Sequence, residues 1–247
     1  MVQPKSFFTI IILFVCQMSF AQTTTAVKSF DKVIVSPHIQ VTFVEGNEES
    51  VTVASNAVSN DKLNIEVKDK TLRIYLDGAK ELTKNQKVYD NGYKERRSIY
   101  NGTIVKATVT YKTLRTLSVR GEETIVCKSN LTGKKFNLKI YGESHVVLNE
   151  VNLGELRTTI YGESYLDIKS GTVTHQKYTT YGEGKINSLG VNNNSASITA
   201  YGESDFSLNV SDAIKITAYG EAKLKYTGNP VITKGLHIGQ LHIDKID

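Results

Sequence analysis

The sequence predicts an all-β protein: a single-stranded β-helix, or β-solenoid, with coils of about 20 residues. Three observations carry this. Tyr-Gly-Glu recurs at 141–143, 161–163, 181–183, 201–203 and 219–221, with start-to-start spacings of 20, 20, 20 and 18 residues. Residues flanking each copy alternate apolar and polar, which is the period of a half-buried strand. No stretch of the repeat region has the longer apolar rhythm of a helix. One such unit cannot bury its own apolar face, but stacked units share a core.

Taken from the N-terminus, residues 1–21 have the layout of a secretory signal. Lys5 supplies the positive start, residues 7–15 (FFTIIILFV) the apolar run, and Ser19 and Ala21 small residues at a cleavage site. The run is shorter than the roughly 20 residues of a membrane span. Val15 before Cys16 lacks the small side chain of a lipidation site. Removing 21 of the 247 residues leaves 226 and takes Lys5, lowering the formal charge from +5 to +4. One cysteine, Cys127, remains, so the exported chain relies on its core and not on disulfides.

Residues 22–247 read as one solenoid domain. Irregular coils are expected over 28–113, with strands at 33–35, 39–44, 50–54, 63–67, 71–76 and 105–110. Turns are expected at Pro37, Gly46-Asn47 and Lys68-Asp69. A charged insertion at 77–103, without alternation, reads as a solvated loop or hairpin. Regular coils are expected over 114–228, opening with the degenerate copy Arg120-Gly121-Glu122. In these coils the inward positions precede the Tyr by three and one residues and follow it by five and seven. The Gly supplies the corner, where positive φ is needed. Residues 229–247 carry Leu236, Ile238, Leu241 and Ile243 and read as a C-terminal cap over an otherwise open strand edge.

Composition narrows the function classes. A net charge of +5 with 22% charged residues does not resemble the concentrated basic face of a nucleic-acid binder. The five histidines have no metal-ligand spacing, and no phosphate loop or dinucleotide fingerprint is present. Cys127 falls on an inward position. Six nearly equivalent turns give their glutamates equal environments, whereas catalytic carboxylate pairs need unequal ones. No cofactor and no enzymatic role are expected.

Two ladders are the candidate sites. Tyr141, Tyr161, Tyr181, Tyr201 and Tyr219 follow an inward position and so point outward, as a stabilising aromatic ladder or as a flat strip for sugar rings or a surface protein. Glu143, Glu163, Glu183 and Glu203, with Glu122 and Glu221, would stand roughly 5 Å apart. Their repulsion calls for relief by water, turn amides, nearby lysines or a Ca²⁺-type cation. The basic stretch at 80–106 (Lys84, Lys87, Lys94, Arg96, Arg97) is either a solvated loop or a contact for acidic polysaccharide or membrane phosphate.

The chain resembles the DUF2807 family of bacterial exported proteins, the auto-transporter adhesin head GIN domain. The resemblance runs from about Phe30 to the C-terminus. Its marks are Phe30-Asp31-Lys32-Val33, Thr71-Leu72-Arg73-Ile74, Leu114-Arg115-Thr116-Leu117, the recurrent turn, and a closing Tyr226-Thr227-Gly228-Asn229-Pro230. Tyr-Gly-Glu-Ser stands where the family has small turn residues. The resemblance implies a right-handed β-helix and an adhesin role at the cell envelope. The competing expectations are a polysaccharide-acting β-helix enzyme and a purely structural envelope protein.

Overall fold

Alternating apolar side chains force the first well-packed strands to share one interior. The computed structural model describes residues 23–90 and 93–246, so the expected signal segment 1–21 lies outside the described residues. After β1 (Thr23–Ala26) come β2 (Lys32–Val35) and β3 (Ile39–Glu45). Val33, Val35, Ile39, Val41 and Phe43 are fully buried. Between these two strands, at Pro37-His38, the chain turns a corner with His38 at φ 70°.

The next elements are β4 (Ser50–Asn56), β5 (Leu63–Lys68), β6 (Thr71–Leu76), β7 (Asn85–Asp90), β8 (Tyr93–Ser98) and β9 (Val105–Tyr111). Every strand expected in this region is present. Their arrangement is less uniform than a run of imperfect coils. β6 lies parallel to β2, and β9 parallel to β3, so these two strands form a layer outside the first coil. β5 pairs antiparallel with β6, through a two-residue turn with Asp69 and Lys70 both at positive φ. β4 pairs antiparallel with β9, and β1 with β4. This end of the stack is therefore finished by antiparallel hairpin-type strands. β7 and β8 form a separate two-stranded sheet.

After β9 the chain returns to the inner face of the first coil. β10 (Thr116–Gly121) pairs parallel with β2, and the start of β11 (Thr124–Gly142) with β3. From there the coils stack in sequence through β12 (His145–Gly162), β13 (Tyr165–Ile168), β14 (Gly171–Tyr181), β15 (Gly184–Thr227) and β16 (Val231–Lys245). Equivalent residues pair at steps of 20 or 21 from β11 to the start of β15, as in Leu138 with Thr158, Thr158 with Tyr178, and Tyr178 with Ile198, and at steps of 18 or 19 between β15 and β16. The result is a β-solenoid of about six turns.

The inward positions, including Leu117, Ile140, Leu166 and Leu208, are buried, except the last, Tyr226, which is half-buried. One continuous apolar cluster runs from Phe30 to Leu224. One coil is different: Gln176, Tyr178, Thr180, Ser188 and Asn193 are all buried in it. Gln176 Oε1 accepts hydrogen bonds from Ser188 at 3.3 Å and Asn193 at 3.2 Å, so much of this polar layer is internally paired. At the far end, β16 extends the ladder as a further parallel coil. Val231, Leu236 and Ile238 are 72%, 63% and 63% exposed there, so this edge is apolar and open.

Candidate functional site

Each Tyr-Gly-Glu lies at a corner of the coil, and main-chain bonds tie successive corners together. Glu143 N–H donates to Gly121 O at 2.9 Å, Glu163 to Gly142 O at 3.0 Å, and Glu183 to Gly162 O at 3.0 Å. The serine after the motif points inward. Ser144 Oγ donates to Gly121 O at 2.8 Å and Ser164 Oγ to Gly142 O at 2.9 Å. These hydroxyls are buried and lock the corner from inside. Glu123 takes the same register position as Ser144 minus one coil; burial pushes its carboxyl above the usual carboxylate range, against the bond it accepts from Glu122 N–H.

The five tyrosines are brought together as one stack. Ring centroids are 4.9, 4.8, 4.9 and 5.0 Å apart from Tyr141 through Tyr219, with interplanar angles of 1–5°. Four such contacts contribute about 0.5–1.5 kcal/mol each beyond buried area. Tyr161, Tyr181 and Tyr201 remain 38–41% exposed. The expected flat aromatic strip takes a different form, because the faces of Tyr161, Tyr181 and Tyr201 are covered by the neighbouring rings. Solvent meets a row of ring edges and phenol hydroxyls. A sugar ring has no open face to lie on within the stack.

The Tyr141 end of the stack is closed by a cation. Arg120, in register with Tyr141, lays its guanidinium 4.7 Å from that ring's centre. Arg120 also meets Glu81 Oε2 at 2.6 Å, while Arg73 holds Glu81 Oε1 at 2.9 Å. At the other end Ile238 is paired in register with Tyr219. Sequence reasoning missed this capping. The degenerate Arg120 in a Tyr column was the available signal, but its partner Glu81 lies 39 residues away in the insertion.

Glu143, Glu163, Glu183 and Glu203 are exposed beside the stack. Lysines relieve the crowding at its far half. Lys223 Nζ bonds Glu221 at 3.0 Å, and Glu221, Asp205 and Glu203 together hold its ammonium above the usual lysine range. Glu183, Glu203 and Glu221 share a shallow depression with Lys185, Asp205 and Lys223. Among the described residues no group of three or more His, Cys, Asp or Glu converges as metal ligands. Cys127 is fully buried, and burial pushes its thiol up to about 12. His145 stacks on Tyr165 at 4.8 Å, and His175 bonds Ser195 at 2.9 Å. No helix among the described residues is long and apolar enough to cross a membrane.

The fold is shared with solved proteins. A "putative adhesin" from Bacteroides fragilis superposes with a TM-score of 0.73 at 20% identity, covering 93% of this chain and 98% of that one. A "putative adhesin" from Parabacteroides distasonis gives 0.63 at 20%, covering 92% and 96%. A "putative lipid binding protein" from the same organism gives 0.64 at 18%, covering 92% and 97%. No curated protein matches the chain. The model of the DUF2807 family, described as "Putative auto-transporter adhesin, head GIN domain", matches residues 29–230. That span takes in the opening strands, the crossover and every copy of the turn, and the chain belongs to this family.

Proposed function

We propose that the protein is an exported, non-enzymatic surface-binding module of the adhesin type, and that the tyrosine edge is its contact line for an extended glycan. The observation that carries this reading is the in-register stack from Tyr141 to Tyr219, with ring edges and hydroxyls open to solvent on a rigid support. A row of phenols repeating at one strand spacing offers the same weak hydrogen bond many times. Multiple weak contacts on one rigid body act intramolecularly after the first, so avidity exceeds any single contact. The adhesin names of the family and of its structural neighbours agree with a binding role. The signal-like residues 1–21 support export.

The test is a triple Tyr161→Phe, Tyr181→Phe, Tyr201→Phe variant on an array of neutral cell-surface glycans. Phenylalanine keeps the stack and removes three hydroxyls. Loss of glycan retention with an unchanged melting temperature supports the contact line. Unchanged retention leaves the stack a purely structural ladder and overturns the reading.

A further inference from the structure

We infer that one face of the β7–β8 hairpin is a second binding surface, for an acidic polysaccharide bearing carboxylate groups on successive sugars. Register places its residues. In this antiparallel pair Lys87 stands opposite Arg96 and Tyr89 opposite Lys94. Directly opposed residues project from the same face, and alternate residues of a strand share a face. Lys87, Tyr89, Lys94 and Arg96 therefore occupy one side. Gln86, Val88, Tyr93, Glu95 and Arg97 occupy the other, where Glu95 and Arg97 meet at 2.9 Å. The two faces are thus electrostatically unlike: the acid–base pair lies on one, and three cations with an aromatic ring lie on the other.

The cations on that face have no ionic partner among the described residues. Among the described residues Lys87, Lys94 and Arg96 make no ion pair, and all three are exposed. Like charges directly opposite each other destabilise a strand pair. A free two-stranded hairpin is itself only marginally stable. This one forms a sheet apart from the solenoid and has the Lys87–Arg96 repulsion built into it. A bound polyanion removes that cost. Tyr89, 74% exposed, adds an open ring face beside Lys94, which the stacked tyrosines of the solenoid do not offer.

The hairpin is aimed by its base. Lys84 N–H donates to Gly78 O at 2.8 Å and Ile99 N–H to Lys84 O at 3.1 Å. Buried Tyr100 donates to Asp77 O at 3.0 Å, and His38 and Thr83 are bonded at 2.6 Å. Glu81, between these anchors, is the carboxylate held by Arg120 at the end of the tyrosine stack. Glu81 thus ties the foot of the hairpin to the Arg120 end of the tyrosine stack. Charge complementarity favours a linear polyanion over a bilayer. Lys87 and Arg96 form one opposed pair, Lys94 lies two residues from Arg96 and so ~7 Å along β8, and among the described side chains the large apolar ones of β7 and β8 exposed near the tip are Tyr89 and Tyr93, on opposite faces.

The experiment measures retention of the full chain on immobilised polygalacturonate, on neutral dextran, and on phosphatidylcholine vesicles with and without phosphatidylglycerol. We expect binding to polygalacturonate and none to dextran through this face, weakening as salt shortens the screening length to about 8 Å at physiological ionic strength. A Lys87→Ser, Lys94→Ser, Arg96→Ser variant is expected to bind roughly 100-fold more weakly, from about three surface charge contacts. It also removes the internal repulsion, so an unchanged circular dichroism spectrum certifies the fold. Tyr89→Ala is expected to weaken binding severalfold. The triple Phe variant of the tyrosine stack is expected to retain full polygalacturonate binding, which separates this surface from the glycan contact line. Full binding by the Ser variant, absence of polygalacturonate binding, or binding confined to phosphatidylglycerol vesicles would each overturn the inference.

Discussion

At Gly142 the backbone takes φ +105°, and an added Cβ would sit 2.5 Å from Gly121 O of the preceding coil. Two independent costs therefore meet at one residue: a left-handed conformation that disfavours side chains, and a carbonyl that cannot retreat because Glu143 N–H and Ser144 Oγ both bond it. Gly142→Ala is expected to lower unfolding free energy by about 2 kcal/mol or more. Gly102, at φ +59° with open space around its Cβ position, serves as the comparison, and Gly102→Ala is expected to cost under about 1 kcal/mol. Urea denaturation of the two variants checks the difference, and equal losses would contradict the close-approach account. The corner Gly was legible in the sequence because its recurrence has one physical cause. The role of the following serine was not. A hydroxyl that turns inward to a carbonyl of the previous coil leaves the same mark in a sequence as one that faces water.

The tyrosine stack behaves as an element in its own right. Each interior ring has two ring neighbours, so removing one ring breaks two contacts. Tyr181→Ala is expected to destabilise by about 1–3 kcal/mol, from two aromatic contacts. Tyr181→Phe is expected to stay within about 0.5 kcal/mol of the parent, since the hydroxyl of this partly exposed residue has no hydrogen-bond partner among the described residues. Thermal unfolding followed by near-ultraviolet circular dichroism tests both, and a costly Phe substitution would show that the hydroxyl carries structural weight. Period-two alternation was enough to direct these side chains outward. It could not say whether the rings present faces or edges, because that depends on χ angles set between coils. The insertion shows a related limit. Its lack of alternation around Lys87 and Arg96 was legible as solvation, whereas the face they share depends on a register that only the folded hairpin defines.

On the scale of the molecule, the two ends are built differently. One carries antiparallel β1, β4 and β5; the other stops at β16 with Val231, Leu236 and Ile238 exposed. In a stacked array each coil depends on its neighbours, so the coil with only one neighbour opens most readily. Native-state hydrogen exchange is expected to show amides of Val231–Lys245 exchanging first and those of the coils around Ile140 and Leu166 last. Uniform protection along the rod would refute a graded stack. The repeat made the solenoid legible, but the crossover at the N-terminal end was not. Parallel pairing of β2 with both β6 and β10 needs contacts 39 and 84 residues apart, which no local pattern encodes.

The step from Tyr201 to Tyr219 spans 18 residues instead of 20, yet their rings stand 5.0 Å apart, as closely as the others. Registration is therefore kept by the corner and not by the length of chain between corners. Deletions in the return segments can be absorbed without shifting the pitch, while loss of a single corner would put every later coil out of phase. A lineage of such chains is free to gain or lose whole turns, lengthening or shortening the rod in units of one strand spacing while both termini keep their architecture. Reach, for this protein, is a countable trait.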